Sequence, residues 1–226
     1  MAMKQLLKSW GTVTLPAVLF MLVHRLLAVG SFPGAVSSCI LVPFIGYWYY
    51  KGEYKKYTHS SAAQWTGISP LLLLLSIVLG IALTSSFLLI QFDPNSINHS
   101  PVSAIQILGI AVAAPINEEL IYRGMVFRRG QRVFGTATSL LFSSVLFGIA
   151  HTGLLQAGVC MVVGAVFVLI VLQYHNLTAA ILVHIGVNLL SFCSTLDSLP
   201  YTAYIAGIFI FLVSVGILTA KILKSN

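Results

Sequence analysis

The sequence predicts an all-α protein, a polytopic transmembrane bundle of about eight helices with both termini in the cytoplasm. Three observations predict it. Of the 226 residues, 58% are hydrophobic and only 8% charged, with a mean hydropathy of +0.96. An ordinary soluble domain carries roughly 25% charged residues and could not cover its surface with so few. The apolar residues also fall into runs near the length of about 20 needed to cross about 30 Å of hydrocarbon, and the basic residues gather between alternate runs. A disordered, fibrous or cytosolic globular protein is excluded.

The elements follow in order. The first span covers 10–30, after Lys4 and Lys8; no small-residue cleavage site follows it, so it reads as an uncleaved helix rather than a signal peptide. Ser31–Gly34 turns the chain into a second span at 33–50, and the polar run 51–66 is a connecting loop. The third span, 68–92, ends at Asp93–Pro101. The fourth, 102–130, contains Pro115, which removes a backbone donor and should kink the helix. It ends at the basic break Arg128–Gly135. The fifth span, 135–152, stops at His151–Gly153, and the sixth, 155–173, at Tyr174–Asn176. The seventh, 177–195, stops at Thr195–Pro200, and the eighth is 201–221.

Charge placement tests this map independently. With the N-terminus inside, the cytoplasmic face receives Lys4, Lys8, Lys51, Lys55, Lys56, Arg128, Arg129, Arg132, Lys221 and Lys224. The other face receives Asp93 and Asp197 and no cation. That is the positive-inside pattern. It accounts for the net charge of +7 without nucleic acid as a partner, and the Arg128–Arg132 patch suits lipid headgroups. Cys39, Cys160 and Cys193 are scattered through apolar stretches with no CxxC spacing and read as packing residues.

Ionisable residues inside a span cost about 2.5–3.5 kcal/mol each at its centre, so the few present are informative. The fourth span carries Glu118, Glu119 and Arg123; His151 ends the fifth; His184 and Asn188 lie in the seventh. Residues four apart share a helix face, so Glu119 stacks on Arg123 as an ion pair. Glu118 lies about 100° around the helix, with no intrahelical cation, and can face elsewhere. His184 and Asn188 share a face, and Gly186 between them admits a neighbouring helix closely. At about 1.5 Å per residue, Glu118 and His151 stand about 18 and 22 Å from the turn joining their helices, and His184 and Asn188 about 10 and 16 Å from the start of theirs. Each group has a structural explanation by itself: a buried salt-bridge cluster, an interfacial histidine, an interhelical hydrogen bond. As a set on three helices they fit catalysis better. His24 and Arg25 in the first span find no role, and His59, His99 and His175 lie in loops.

A carboxylate and an imidazole can together deprotonate a water that attacks a carbonyl, while a second imidazole and a carboxamide hold the oxyanion. That is peptide-bond hydrolysis without a covalent intermediate. No GxSxG elbow is present and no cysteine has an activating partner. Glu118, His151 and His184 could alternatively bind Zn²⁺ with an open position for water, although no HExxH motif is present.

Glu118-Glu119-x-x-x-Arg123, Phe147-x-x-x-His151 and His184-x-x-x-Asn188 resemble, in order and in helical placement, the three signature motifs of the CAAX protease and bacteriocin-processing (CPBP, or Abi) family of intramembrane endopeptidases. The resemblance implies that 102–195 is the catalytic core, with variable N-terminal helices at 1–101 and a C-terminal helix at 196–226. It also implies that Glu118 and His151 share the attacking water, that His184 and Asn188 stabilise the oxyanion, that Glu119 and Arg123 play supporting roles, and that Phe147 shapes the pocket. Metal-free hydrolysis is implied, with no cofactor. The expected partner is a membrane-associated peptide or protein, in peptide or bacteriocin processing or self-immunity, and the expected location a cell membrane. Two readings compete: a non-enzymatic immunity or scaffold protein, and a proton-coupled transporter, which would be expected to show inverted repeats and broken helices.

Overall fold

A computed structural model describes residues 2–27, 31–54, 68–92, 103–192 and 199–225. The described residues form eight helices and no strand. These are α1 (Ala2–Leu27), α2 (Ser31–Tyr49, continued by a wide turn over Tyr50–Tyr54), α3 (Ile68–Phe92), α4 (Ala104–Phe134), α5 (Thr136–Ile149), α6 (Leu154–Tyr174), α7 (Leu177–Ser191) and α8 (Tyr201–Ser225). Five stretches are long and apolar enough to cross a membrane: Ser9–Leu27, Pro70–Phe92, Ala104–Phe134, Leu154–Tyr174 and Tyr201–Lys224. Helices α5 and α7 are apolar but shorter, at 14 and 15 residues. The protein is a multi-pass membrane protein.

The eight expected helices are all present, but several boundaries move. The fourth does not end at 130. It runs on through the basic patch to Phe134, because Arg129 and Arg132 point their guanidinium groups at Glu53 rather than serving as loop residues. The chain breaks only at Gly135, whose φ of +81° is left-handed backbone that favours glycine. The expected loop at 51–66 begins with a helical turn up to Tyr54, and its remainder lies outside the described residues. So do Asp93, His59, His99, Asp197 and Cys193. The seventh span closes at Ser191, four residues early.

Local chemistry explains the ends that position the site. Ser103 and Gln106 form a reciprocal capping box at the start of α4. Asn176 caps α7 by accepting from the Thr178 N–H at 2.8 Å. Between α5 and α6 the chain turns through His151 and Gly153, the latter at φ +89°.

Pro115 leaves α4 as one continuous helix. Two wide turns with i→i+5 bonding, over Ile107–Ala113 and Leu120–Phe127, bracket the short α segment Ala114–Glu119. In the first, the Ala114 N–H donates to Gly109 O, which leaves Ile110 O facing Pro115, a residue with no N–H to give. The proline's missing donor is thus absorbed as a widened turn.

Helix α4 is the hub of the bundle. It packs against α1, α2, α5, α6 and α7, while α8 lies outside against α3 and α6. The core gathers Ile77, Ile81, Ile121, Tyr122, Met125, Phe147, Phe167, Ile170 and Val183 around it. Large apolar side chains such as Leu22, Phe44, Leu75, Leu141, Leu182 and Phe209 point outward, the girdle that acyl chains would cover.

Candidate active site

Helix α4 carries two adjacent acids with different surroundings. Glu119 is fully buried, and its Oε1 accepts from Arg123 Nη1 at 2.9 Å, which is the ion pair expected from the i,i+4 spacing. The same oxygen also lies 2.9 Å from His184 Nδ1 on α7. That second partner is not legible from α4 alone, because it depends on how α7 docks. Arg123 is equally buried. Its Nη2 donates to Gly164 O at 3.0 Å, and its guanidinium lies 4.3 Å from the Phe147 ring centre and 5.0 Å from that of Phe167. Packing at Gly164 is close: a Cβ there would stand 3.1 Å from Phe147 and 3.2 Å from Arg123 Nη2, so those side chains would have to give by a few tenths of an ångström.

Glu118 turns the other way. Its side chain keeps 18% of its surface accessible, and Oε2 stands 3.7 Å from His184 Nε2. That is longer than a hydrogen bond. Both it and His184 line a cavity of about 460 Å³, together with His151, Asn188 and Phe147. All four residues expected to be catalytic therefore face one space.

The hydrogen bonds around the rings constrain the tautomers, since a carbonyl or carboxylate oxygen can only accept. His151 Nδ1 lies 2.9 Å from Phe147 O, so the proton sits on Nδ1 and Nε2 offers a lone pair. His184 Nδ1 donates to Glu119, which leaves its Nε2 toward Glu118 and the cavity. Phe147 does shape the pocket, with edge contacts to both imidazoles at 4.9 and 5.7 Å between ring centres. Phe167 stacks on His184 at 4.7 Å. Asn188 Nδ2 donates at 3.0 Å to Ile110 O, the carbonyl that faces Pro115, so one of its two amide protons is committed and one remains. Gly186 lets α7 press on α3 as the sequence suggests: a Cβ there would meet Val78 at 3.1 Å.

Among the described residues no three His, Cys, Asp or Glu side chains stand together closely enough to hold a metal ion. Two cavity residues went unrecognised in the sequence. Cys160, expected to be packing, lines the cavity, and so does His24 of α1. A histidine in the last turn of an apolar span was the available signal for the second.

A helical membrane bundle thus places an acid, two imidazoles and an amide around one cavity. Residues 100–190 match the Rce1-like family model, described as type II CAAX prenyl endopeptidase Rce1-like, and over that stretch the chain carries a domain of this peptidase family. No curated protein and no solved structure matches the chain.

Proposed function

We propose that the protein is an intramembrane endopeptidase that hydrolyses a peptide bond with water held between Glu118 and His151. Glu118 takes a proton as the water oxygen bonds to the scissile carbonyl carbon, and the lone pair on His151 Nε2 orients the same water. The oxyanion that forms is held by the cavity-facing edge of the His184 imidazole and by the second amide proton of Asn188. The C–N bond then breaks, and the leaving amine takes the proton from Glu118. Glu119 orients the His184 ring, and Arg123 holds Glu119. No metal is part of the scheme.

The observation that carries this reading is that Glu118, unlike Glu119, has no hydrogen-bond donor among the described residues and opens onto the cavity the other three groups line. The substrate is a peptide or protein at the membrane. Peptide or bacteriocin processing, self-immunity and CAAX-type trimming are the candidate roles. The bundle crosses eight times with both termini in the cytoplasm, 102–195 forming the catalytic core between variable helices at 1–101 and a last helix at 196–226. The test is cleavage of a fluorogenic peptide library by the purified protein in detergent and in liposomes, with and without chelator. Glu118→Gln should lower kcat at least a hundredfold at unchanged abundance. Full turnover by that variant refutes the scheme, and loss of activity with chelator alone would move it to metal chemistry.

A further inference from the structure

His24 sits in α1, far from the segment that matches the peptidase family, yet it lines the cavity with Glu118, His151 and His184. Its ring stacks on Phe20 at 5.7 Å, and Phe20 in turn meets Tyr122 of α4 edge-on at 6.4 Å. That ties the position of His24 to the helix that carries the acids.

The environment of the ring selects its tautomer. His24 Nδ1 is sealed from solvent and has no hydrogen-bond partner among the described residues. A buried N–H without an acceptor is rarer and costlier than a buried lone pair without a donor. The proton therefore belongs on Nε2, the nitrogen the cavity can reach. His151 has the opposite arrangement, with Nδ1–H spent on Phe147 O and a lone pair toward the cavity.

Some other donors on the cavity wall are committed, while Ser85 and Gln156 share the wall with His24 as further open donors among the described residues. Ser38 and Ser191 give their hydroxyl protons to Gly34 O and Asn188 O, and Asn188 gives one of its two amide protons to Ile110 O. A peptide drawn into this space brings backbone carbonyls that lose water and need donors.

We propose that His24 is a substrate-binding residue whose Nε2–H donates to a backbone carbonyl of the peptide in the cavity. This rests on the peptidase reading, and it assigns part of the site to the first helix. The Nε2–H bond is made equally with ground state and transition state, so its loss weakens binding and leaves the chemical step intact.

The experiment uses a fluorogenic peptide from the library that the wild-type full chain cleaves. His24→Ala should raise KM about tenfold with kcat within threefold. His24→Gln, whose amide N–H reaches the place of the imidazole Nε2–H, should return KM to within threefold of wild type. Labelled peptide binding to Glu118→Gln protein, with and without His24→Ala, should show the same tenfold weakening without turnover. An unchanged KM in His24→Ala, a fall in kcat comparable to that of Glu118→Gln, or no rescue by Gln overturns the assignment while cleavage itself stands. Peptide that binds but is never cleaved by wild type removes the peptidase reading and leaves His24 to be judged on binding. Absence of both cleavage and binding overturns the two together.

Discussion

Arg123→Met removes a charge while nearly keeping side-chain volume, so its cost measures the electrostatics of the site. Arg123 and Glu119 are both fully buried and bond at 2.9 Å. Without Arg123, Glu119 keeps only the His184 Nδ1 donor, and stranding a buried charge typically costs about 3–5 kcal/mol. Gly164 O loses its second donor as well but keeps the helical one from Val168 N–H, so it is not left unsatisfied. The cation's contact with the faces of Phe147 and Phe167 is also lost. Protonation of Glu119 would relieve part of the cost, so the expected net loss is about 3–5 kcal/mol. Against a total stability of about 5–15 kcal/mol, that should deplete the folded protein visibly. The assay is reversible SDS unfolding in mixed micelles, followed by tryptophan fluorescence. Glu119→Gln combined with Arg123→Met should be less destabilised than the sum of the single variants by about 2 kcal/mol, because the double variant strands no charge. A loss below about 1 kcal/mol for Arg123→Met, or strict additivity, would show that the pair is not dry and would remove the structural role given to it.

Other outcomes follow from the same geometry. Asn188→Ala should lower kcat by roughly 10²–10³ through the lost oxyanion donor and cost about 1–3 kcal/mol of stability, because Ile110 O loses its partner; a drop in stability with kcat unchanged would reduce Asn188 to a helix clamp. Gly109→Val should destabilise by more than about 1 kcal/mol, since its added Cβ would collide with the Ala35 backbone of α2, which cannot step aside; wild-type stability would mean the two helices are not so close. Glu53→Gln should cost about 1–2 kcal/mol, little of it from Arg132, which is half-exposed, and more from the Arg129 bond at 2.8 Å. Limited proteolysis after 51–54 would read that loosening, and unchanged cleavage there would count against the clamp.

What was legible in the sequence was whatever one helix decides by itself. Apolar runs gave eight helices, and i,i+4 spacing gave the Glu119–Arg123 pair and the outward turn of Glu118. What depended on two helices was harder to see. No periodicity in α4 announces that His184 will share Glu119 Oε1 with Arg123. Nor does it announce that Asn188 will satisfy a carbonyl facing a proline. Pro115 was read as removing one donor of the α ladder; that the chain would meet it with a wide turn just before the proline was not legible. The basic patch was read as a loop because cations usually mark the membrane edge, and the buried acceptor that draws it into the helix, Glu53, lies 76 and 79 residues away. His24 was noticed beside Arg25 but given no role, because neither has a polar partner four residues away in its own helix to suggest one.

The two adjacent glutamates show how one helix makes two kinds of acid. A single residue step rotates the side chain by about 100°, enough to send Glu119 to the sealed interface with α6 and α7 and Glu118 to the cavity. Glu119 Oε1 is occupied twice over, orienting His184 and balancing Arg123, while its Oε2 is buried without a partner among the described residues and Glu119 does not line the cavity. Glu118 has no bonded donor among the described residues and keeps 18% of its side-chain surface open, so its lone pairs remain available to a water. The widened turn that begins at Leu120, directly after the pair, stays in step with Arg123 because the 119–123 ion pair spans it at normal bonding distance. An inserted alanine between 119 and 120 would rotate Arg123 off that face by about 100° while leaving Glu118 and Glu119 where they are, and would break the clamp without touching the acid proposed to do the chemistry.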